Sequence, residues 1–448
     1  MKKKLFLLTL VAAGTVSCSK SDELINGALP ETTPESNVID LRSAGKELPG
    51  DVSYDASNCK PEGSEQTLRS IRYVDPLPIY YMDYYAKVDW DKLEKNPSER
   101  YAAAAPAAVI NDLNNLLYIN NPVPNPQTAK IGSACSGFVC FNPQDELLFG
   151  RNFDGESPLV VVFDKAVNPG EHKNVMMTSL TLGQSLYGNL TEYNDRSLIS
   201  GIKDISFLLR QPAAIMDGMN DAGLCFAAYQ LPSFSEAEDE DSWMSTVLPR
   251  PSSIDVQRGN RQIFATTLHK RILRECETVE DVVKLFNKFD YTTLTPDLNL
   301  HWLVADAHND FRFIEIWKGK DGEYTIYTMD EEERWEYTYS PSAMIPYEYR
   351  SIENYYINME ASTTFTKDYW QYRYSTKARV HNMMSHYSLV MNEEEALQCL
   401  QYGNYGIEFR GETTDWSCVY NPKKRTVMFN MRNDMSKVYS IDLNKDLK

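Results

Sequence analysis

Ala134-Cys135-Ser136-Gly137-Phe138, followed by Phe149-Gly150-Arg151-Asn152-Phe153-Asp154, is the pair of segments that carries most of the information in this chain. Gly137–Phe141 is a short apolar run, Asn142-Pro143-Gln144-Asp145 is made of turn formers, and Glu146–Gly150 is a second short run; together they predict a β-hairpin. A hairpin brings its two open ends together. The thiol of Cys135, the guanidinium of Arg151 and the carboxylate of Asp154 are therefore predicted to converge, and Asn152 between them is a further candidate for contact with a substrate or a developing oxyanion.

Such a group has a chemical use. A thiol is a good nucleophile only as the thiolate, and a nearby guanidinium favours that form. If Cys135 were the first residue of its chain, its own α-amino group, which titrates near neutrality, would serve as base. Asp154 would then hold the amino group or the arginine in place. On spacing alone, a buried core cysteine beside a structural Arg151–Asp154 ion pair fits equally well.

Working outward, strands are predicted at Leu159–Phe163 and at Gly223–Gln230, the latter entered through Asn220-Asp221-Ala222-Gly223. A hairpin is predicted from His301–Asp306 and Phe311–Trp317 around His308-Asn309-Asp310, and closing strands at Trp416–Tyr420 and Thr426–Met431 around Asn421-Pro422. Helices are predicted at Tyr101–Leu117, Ile263–Arg274, Val279–Phe289, Trp370–His386 and Asn392–Tyr402. Thr278 with Asp281, and Asn392 with Glu395, have the spacing of N-terminal caps. Strands in hairpins and helices in pairs favour an α+β fold of antiparallel sheets layered with helices over a doubly wound parallel sheet.

With 448 residues, 42% of them hydrophobic, the chain can bury a large core. A net charge of -18, with no long basic run, argues against nucleic acid as a partner. The histidines are scattered and no CxxC occurs, so no metal site is expected.

At the N-terminus, Lys2–Lys4 precede an apolar run, Leu5–Ala13, too short to span a bilayer. Gly14-Thr15-Val16-Ser17-Cys18 then resembles a bacterial lipobox, with Thr15 where Leu is usual. The expectation is an exported lipoprotein, anchored in the cell envelope by acylation of Cys18. Residues 1–18 are read as signal peptide and lipobox, 19–70 as a polar tether, 71–134 as a mainly helical leading segment, and 135–448 as the catalytic domain. Beyond Cys18 the cysteines are Cys59, Cys135, Cys140, Cys225, Cys276, Cys399 and Cys418; their odd number leaves at least one unpaired, and Cys135 is expected to stay reduced.

Cys135-Ser136-Gly137 followed by Gly150-Arg151-Asn152-Phe153-Asp154 resembles the choloylglycine hydrolase family, which includes bile salt hydrolases and penicillin V acylases and is related to acid ceramidase and N-acylethanolamine acid amidase. Met216-Asp217-Gly218-Met219-Asn220-Asp221-Ala222-Gly223-Leu224 is similar to its second motif. Leu300-His301-Trp302-Leu303-Val304-Ala305-Asp306 with Phe313-Ile314-Glu315 resembles the third, and Thr414-Asp415-Trp416-Ser417-Cys418-Val419-Tyr420 its C-terminal strand. The resemblance implies a four-layer αββα sandwich of the N-terminal-nucleophile type. It implies hydrolysis of a non-peptide amide in an N-acyl compound, without metal or organic cofactor. Cys135 would be the nucleophile exposed by cleavage after Ala134, Arg151 would tune the thiolate and contact substrate, and Asp154 would orient the new α-amino group. The family's late helical arginine would be Arg373, with Arg379 as competitor. Gln230 and Tyr339 stand where relatives carry asparagines at the oxyanion. The long stretch before Cys135 resembles the ceramidase and N-acylethanolamine amidase branch. It implies a leading segment that stays associated after cleavage and lipid-like N-acyl amides as substrates. Bile salt or penicillin V-type amides are the alternative, and a non-catalytic, ligand-binding surface lipoprotein on the same fold is a second.

Overall fold

Successive residues of the strand that opens at Cys135 meet different layers, and that alternation explains the architecture. The computed structural model describes residues 38–48, 53–54, 59, 61–74, 79–102, 106–117, 135–155, 158–180, 205–231, 254–293, 299–318, 322–333, 347–354, 357, 380, 382–403 and 413–448. By its internal contacts the chain divides after Ser36, and the described residues all belong to the second unit.

β5 (Cys135–Phe141) and β6 (Leu147–Gly155) form the predicted hairpin. They lie in a seven-stranded sheet of order β1-β19-β18-β17-β6-β5-β16, completed by β1 (Val38–Asp40), β16 (Ser351–Glu353), β17 (Thr413–Asn421), β18 (Thr426–Met431) and β19 (Val438–Asp442). A second sheet of ten strands has the order β15-β14-β13-β10-β9-β8-β7-β4-β3-β2. Its members are β2 (Lys46–Glu47), β3 (Arg72–Val74), β4 (Ile79–Tyr84), β7 (Leu159–Asp164), β8 (Asn174–Ser179), β9 (Ile215–Asn220), β10 (Cys225–Gln230), β13 (Leu300–Ala305), β14 (Phe311–Lys318) and β15 (Tyr324–Met329). Pairing in both sheets is antiparallel except β1 with β19 and β4 with β7.

Cys135, Val139, Phe149 and Phe153 join Tyr229, Leu303 and Phe313 of the other sheet in one apolar core. Phe138, Cys140 and Leu148, on the opposite face, pack with Ala396, Leu397 and Leu400 of a helix spanning Glu393–Gln401. Helices at Ala265–Glu275 and Val279–Lys288 cover the far side of the second sheet, where Phe286 lies edge-on to Trp302 at 4.8 Å. The result is helix, sheet, sheet, helix, the expected αββα order. Both predicted caps form as capping boxes, Thr278 with Asp281 and Asn392 with Glu395. Cys140, Cys225, Cys276, Cys399 and Cys418 are buried thiols.

Two turns lock the sheets together at the end away from Cys135. Asp145 and Asn309 both adopt positive φ, 61° and 66°, at the tips of their hairpins. Asn309 Oδ1 accepts from Leu147 N at 2.9 Å, and its Nδ2 donates to Asp145 O at 2.8 Å.

The leading part of the chain departs from expectation. Residues 38–48 and 61–70, read as tether, are folded in the described structure, with β1 and β2 in the two sheets and a helix at Ser64–Ser70. Residues 71–134 carry strands beside their helices where described. They supply β3 and β4 as well as a 3-10 turn at Trp90–Leu93 and a helix at Pro106–Leu117. The physical reason is that these strands borrow their stability from neighbours. β4 lies against β7 along Ile79–Tyr84, and such pairing leaves little local period to read. Among the described residues no helix is long and apolar enough to cross a membrane.

Candidate active site

Cys135 is the first residue of β5, so a cut before it would leave the strand intact and place its α-amino group at the strand's end. In the antiparallel ladder Cys135 faces Phe153 and Gly137 faces Arg151. Residues opposite one another in a ladder point to the same face. Thiol and guanidinium therefore enter the same space between the sheets, as the hairpin reading required. Arg151 Nη2 lies 3.6 Å from Cys135 Sγ.

Arg151 is fully buried, and every part of its fork is engaged. Its Nε lies 2.8 Å from Asp217 Oδ2, Nη1 donates to Asn152 O at 2.9 Å, and Nη2 donates to Ala228 O at 3.0 Å. Burial disfavours its charge, but the sulfur of Cys135 and the carboxylate of Asp217 outweigh this and hold it protonated. Asp217 in turn accepts a short hydrogen bond from Tyr420 OH. A fixed cation thus stands beside the Cys135 sulfur, oriented by two carbonyls and a carboxylate.

Asn354, just beyond β16, completes the arrangement at the other side of Cys135. Its Oδ1 accepts a short hydrogen bond from Cys135 N, and its Nδ2 donates to Gln230 O at 2.5 Å. The backbone nitrogen that would become the α-amino group is therefore held by a side-chain amide. That amide is itself tied to the end of β10. Asp154 follows Phe153, the ladder partner of Cys135, and is buried; Thr414 Oγ1 donates to its Oδ1 at 2.5 Å. A bulge between Thr414 and Trp416 in β17 lies beside it, and such bulges re-aim side chains at strand ends.

Gly137 belongs to the site for a steric reason. A Cβ there would lie 2.2 Å from Tyr229 OH and 2.7 Å from Gly150 O. Only glycine lets the Tyr229 ring lie across the hairpin, with the Arg151 guanidinium 5.4 Å from its centre.

The structure thus brings together Cys135, Arg151 and, through Asn354, the backbone of Gln230, while the buried Asp154 meets Thr414. It does not bring Asn152 to them. Asn152 pairs with Ser136 on the helix-facing side, where its Nδ2 donates to Ser136 Oγ at 3.1 Å and Leu400 O at 2.8 Å, and its Oδ1 accepts from Ser417 Oγ at 2.7 Å. Strand alternation makes this unavoidable once Arg151 points inward, so Asn152 is corrected from a substrate contact to a strand-to-helix tie. Tyr339, Arg373, its competitor Arg379, Ala134 and Cys18 lie outside the described residues. Sequence reasoning missed Asn354, Tyr229 and the role of Asp217. Asp217 stood inside a quoted motif without a role, whereas Ser351-Ile352-Glu353-Asn354 carries no turn or periodic signal. Among the described residues no group of His, Cys, Asp and Glu is arranged to hold a metal ion.

Residues 135–339 match the model of the linear amide C–N hydrolases of the choloylglycine hydrolase family. The chain has no match among curated proteins. Similar solved structures include penicillin V acylase from Agrobacterium tumefaciens, with 17% identity over 70% of this chain and 88% of that one and a TM-score of 0.41. A mutant conjugated bile acid hydrolase from Clostridium perfringens shares 13% identity over 70% of this chain and 93% of its own, also with a TM-score of 0.41. The Caenorhabditis elegans ortholog of N-acylethanolamine-hydrolyzing acid amidase shares 11% over 64% and 93%, with a TM-score of 0.32. Residues 135–339, which run from β5 across most of the second sheet, are thus similar to the choloylglycine hydrolase family of linear amide C–N hydrolases.

Proposed function

We propose that the chain hydrolyses the amide bond of a small N-acyl compound through the thiolate of Cys135, freed as an N-terminal residue by self-cleavage after Ala134. The observation that carries the reading is the pair of contacts on one residue: Arg151 Nη2 at 3.6 Å from Cys135 Sγ, and Asn354 on Cys135 N. After the cut, the α-amino group takes the thiol proton and sulfur attacks the carbonyl carbon. The oxyanion is met by side-chain amide donors, for which Gln230 is a candidate and Asn354 another once its Nδ2 turns from Gln230 O. As the tetrahedral adduct collapses, the C–N bond breaks and the amine leaves with the proton held by the α-amino group. Water then attacks the thioester, gives its proton to the same amino group and releases the carboxylic acid, and the sulfur is regenerated. Arg151 stabilises negative charge on sulfur at the start and end of this cycle.

Lipid-like N-acyl amides are the leading substrate class, supported by a leading segment that is folded onto the catalytic part as in the amidase branch the sequence resembles. The cut segment stays bound, and Cys18 anchors the pair to the cell envelope; the support for the anchor is the Lys2–Cys18 pattern.

Intact mass under denaturing conditions, wild type beside Cys135→Ala, tests the nucleophile. Wild type is expected to split between Ala134 and Cys135 while the variant stays whole. A wild type that stays whole, or a variant that also splits, sinks the mechanism. Turnover of long-chain N-acyl amines, conjugated bile salts and penicillin V by the cut protein then decides the substrate class. Absence of turnover on all of them would favour a ligand-binding role.

A further inference from the structure

Between the sheets, behind the nucleophile, lies a second buried acid–base pair that the mechanism above does not use. His301 of β13 and Glu315 of β14 are both fully buried, with Nδ1 and Oε2 3.5 Å apart. His301 faces Tyr229 across the β10–β13 ladder, and their rings meet edge to face at 6.0 Å. Tyr229 is the ring that lies over Gly137 and beside Arg151. In the other direction, Glu315 Oε2 accepts from Ile357 N at 2.8 Å. Ile357 is three residues beyond Asn354, the side chain on Cys135 N. Among the described residues neither ring nitrogen of His301 and not the Tyr229 OH has a hydrogen-bond partner, so His301 and Glu315 meet by proximity alone. Burying such groups without partners costs stability, so packing alone does not account for them.

We infer that Glu315, with His301, is a positioning residue for the amide hydrolysis proposed above: it fixes Asn354 from one sheet and Tyr229, hence Arg151, from the other. The inference rests on Cys135 being the reactive group, but not on which amide it cleaves. Glu315 holds the backbone N–H of Ile357, three positions after Asn354. His301 braces the Tyr229 ring at the same time. The pair therefore keeps the two groups that flank Cys135, one on its sulfur and one on its nitrogen, in register across the gap between the sheets. Misplacement of a reacting group by about 1 Å can lower a rate by about 10²-fold.

Two isoelectronic or isocharged changes separate positioning from mere bulk. Glu315→Gln keeps an acceptor oxygen at full reach and removes the charge. Glu315→Asp keeps the charge and withdraws the acceptor by one methylene. The readouts are the pH profile of Cys135 alkylation by iodoacetamide, which needs no known substrate, and kcat and KM per alkylatable thiol. E315Q is expected to behave like wild type, within about threefold. E315D is expected to shift the alkylation profile and to lower kcat roughly 10- to 100-fold with KM little changed. Equal loss in both variants, loss in E315Q alone, or wild-type behaviour in both overturns the inference. A wild-type Cys135 that neither alkylates nor is exposed by cleavage fails the proposed function instead, a result read from wild type alone. Because both variants conserve most of the side chain, and kinetics are referred to titrated thiol, a lowered folded fraction does not imitate the effect.

Discussion

At the scale of single residues, the site is a set of geometric demands, and each can be broken separately. Gly137→Ala places a methyl group 2.2 Å from Tyr229 OH and 2.7 Å from a carbonyl oxygen, so either the ring or the hairpin must move. Overpacking of this kind costs about 1–3 kcal/mol. Because the ring is next to Arg151, turnover per folded molecule is expected to fall at least tenfold, measured with the folded fraction fixed by urea titration; unchanged turnover would show that Tyr229 has no part in aligning Arg151. Arg151→Lys keeps the charge but not the fork, which now reaches Asp217, Asn152 O and Ala228 O at once. Its expected signature is a loss of roughly 10²-fold in kcat and a slower cut before Cys135, followed by mass spectrometry. The nearness of Cys135 and Arg151 was legible in the sequence because a hairpin makes distant positions neighbours by a local rule. Asn354 was not, because its place beside Cys135 N depends on β16 joining β5 from more than two hundred positions away. Asn152 was misread for the opposite reason: it is adjacent in sequence to Arg151, and in a strand adjacency means the other face.

At the scale of elements, what could be read were those that stabilise themselves locally. The capped helices and the hairpins with Asn and Asp at their turns form where expected, whereas β1, β2 and β3, each three residues or fewer, are defined only by the strands they pair with. One helix-to-sheet joint carries a pH dependence. His269, on the helix Ala265–Glu275, accepts from Trp302 Nε1 at 2.8 Å through Nε2, so its Nδ1 carries the proton that is donated to Ile215 O at 2.9 Å. Burial holds its pKa down at about 4, against 6.5 unfolded, and the bond to Ile215 only partly opposes this. The fold therefore favours the neutral ring. The stability this confers is complete above pH 6.5 and is lost as the pH falls through about 4, a total of roughly 3 kcal/mol. Urea unfolding at pH 7 and pH 4 should show this loss in wild type, and His269→Gln should remove that part of the acid sensitivity; an identical pH slope in both proteins would assign it to other groups.

At the scale of the whole molecule, the leading part of the chain is built into both sheets. β4 lies parallel to β7 over six residues, and β1 lies parallel to β19 at the far edge of the other sheet. Polar ties follow the same seam. Arg42 Nη2 lies 2.6 Å from Asp83 and donates to Asp446 O at 3.2 Å, with its guanidinium 3.7 Å from the centre of the Phe163 ring. Lys165 reaches Asp83 at 3.1 Å, Arg100 reaches Asp290 at 2.8 Å, and Arg261 reaches the buried Glu94 at 3.0 Å. A break before Cys135 severs none of these contacts: Arg42–Asp83 lies within the leading fragment, and the others join it to the part that follows. The cut fragments are accordingly expected to co-elute in gel filtration at neutral pH and to part only in denaturant. Burial works against charge on Asp83, but Arg42 and Lys165 hold its carboxyl below the ordinary 3.8. Its pairing with Lys165 across the seam is thus present above pH 3.8 and fades as the pH falls below that value. Arg42→Ala removes the group that meets Asp83, Asp446 and Phe163 together. It should lower the urea concentration at which the fragments separate, while leaving alkylation of Cys135 at its wild-type rate before separation. Fragments that part in plain buffer would show that sheet pairing across the seam does not outlast the covalent link, and the leading segment would then be a folding aid rather than a subunit.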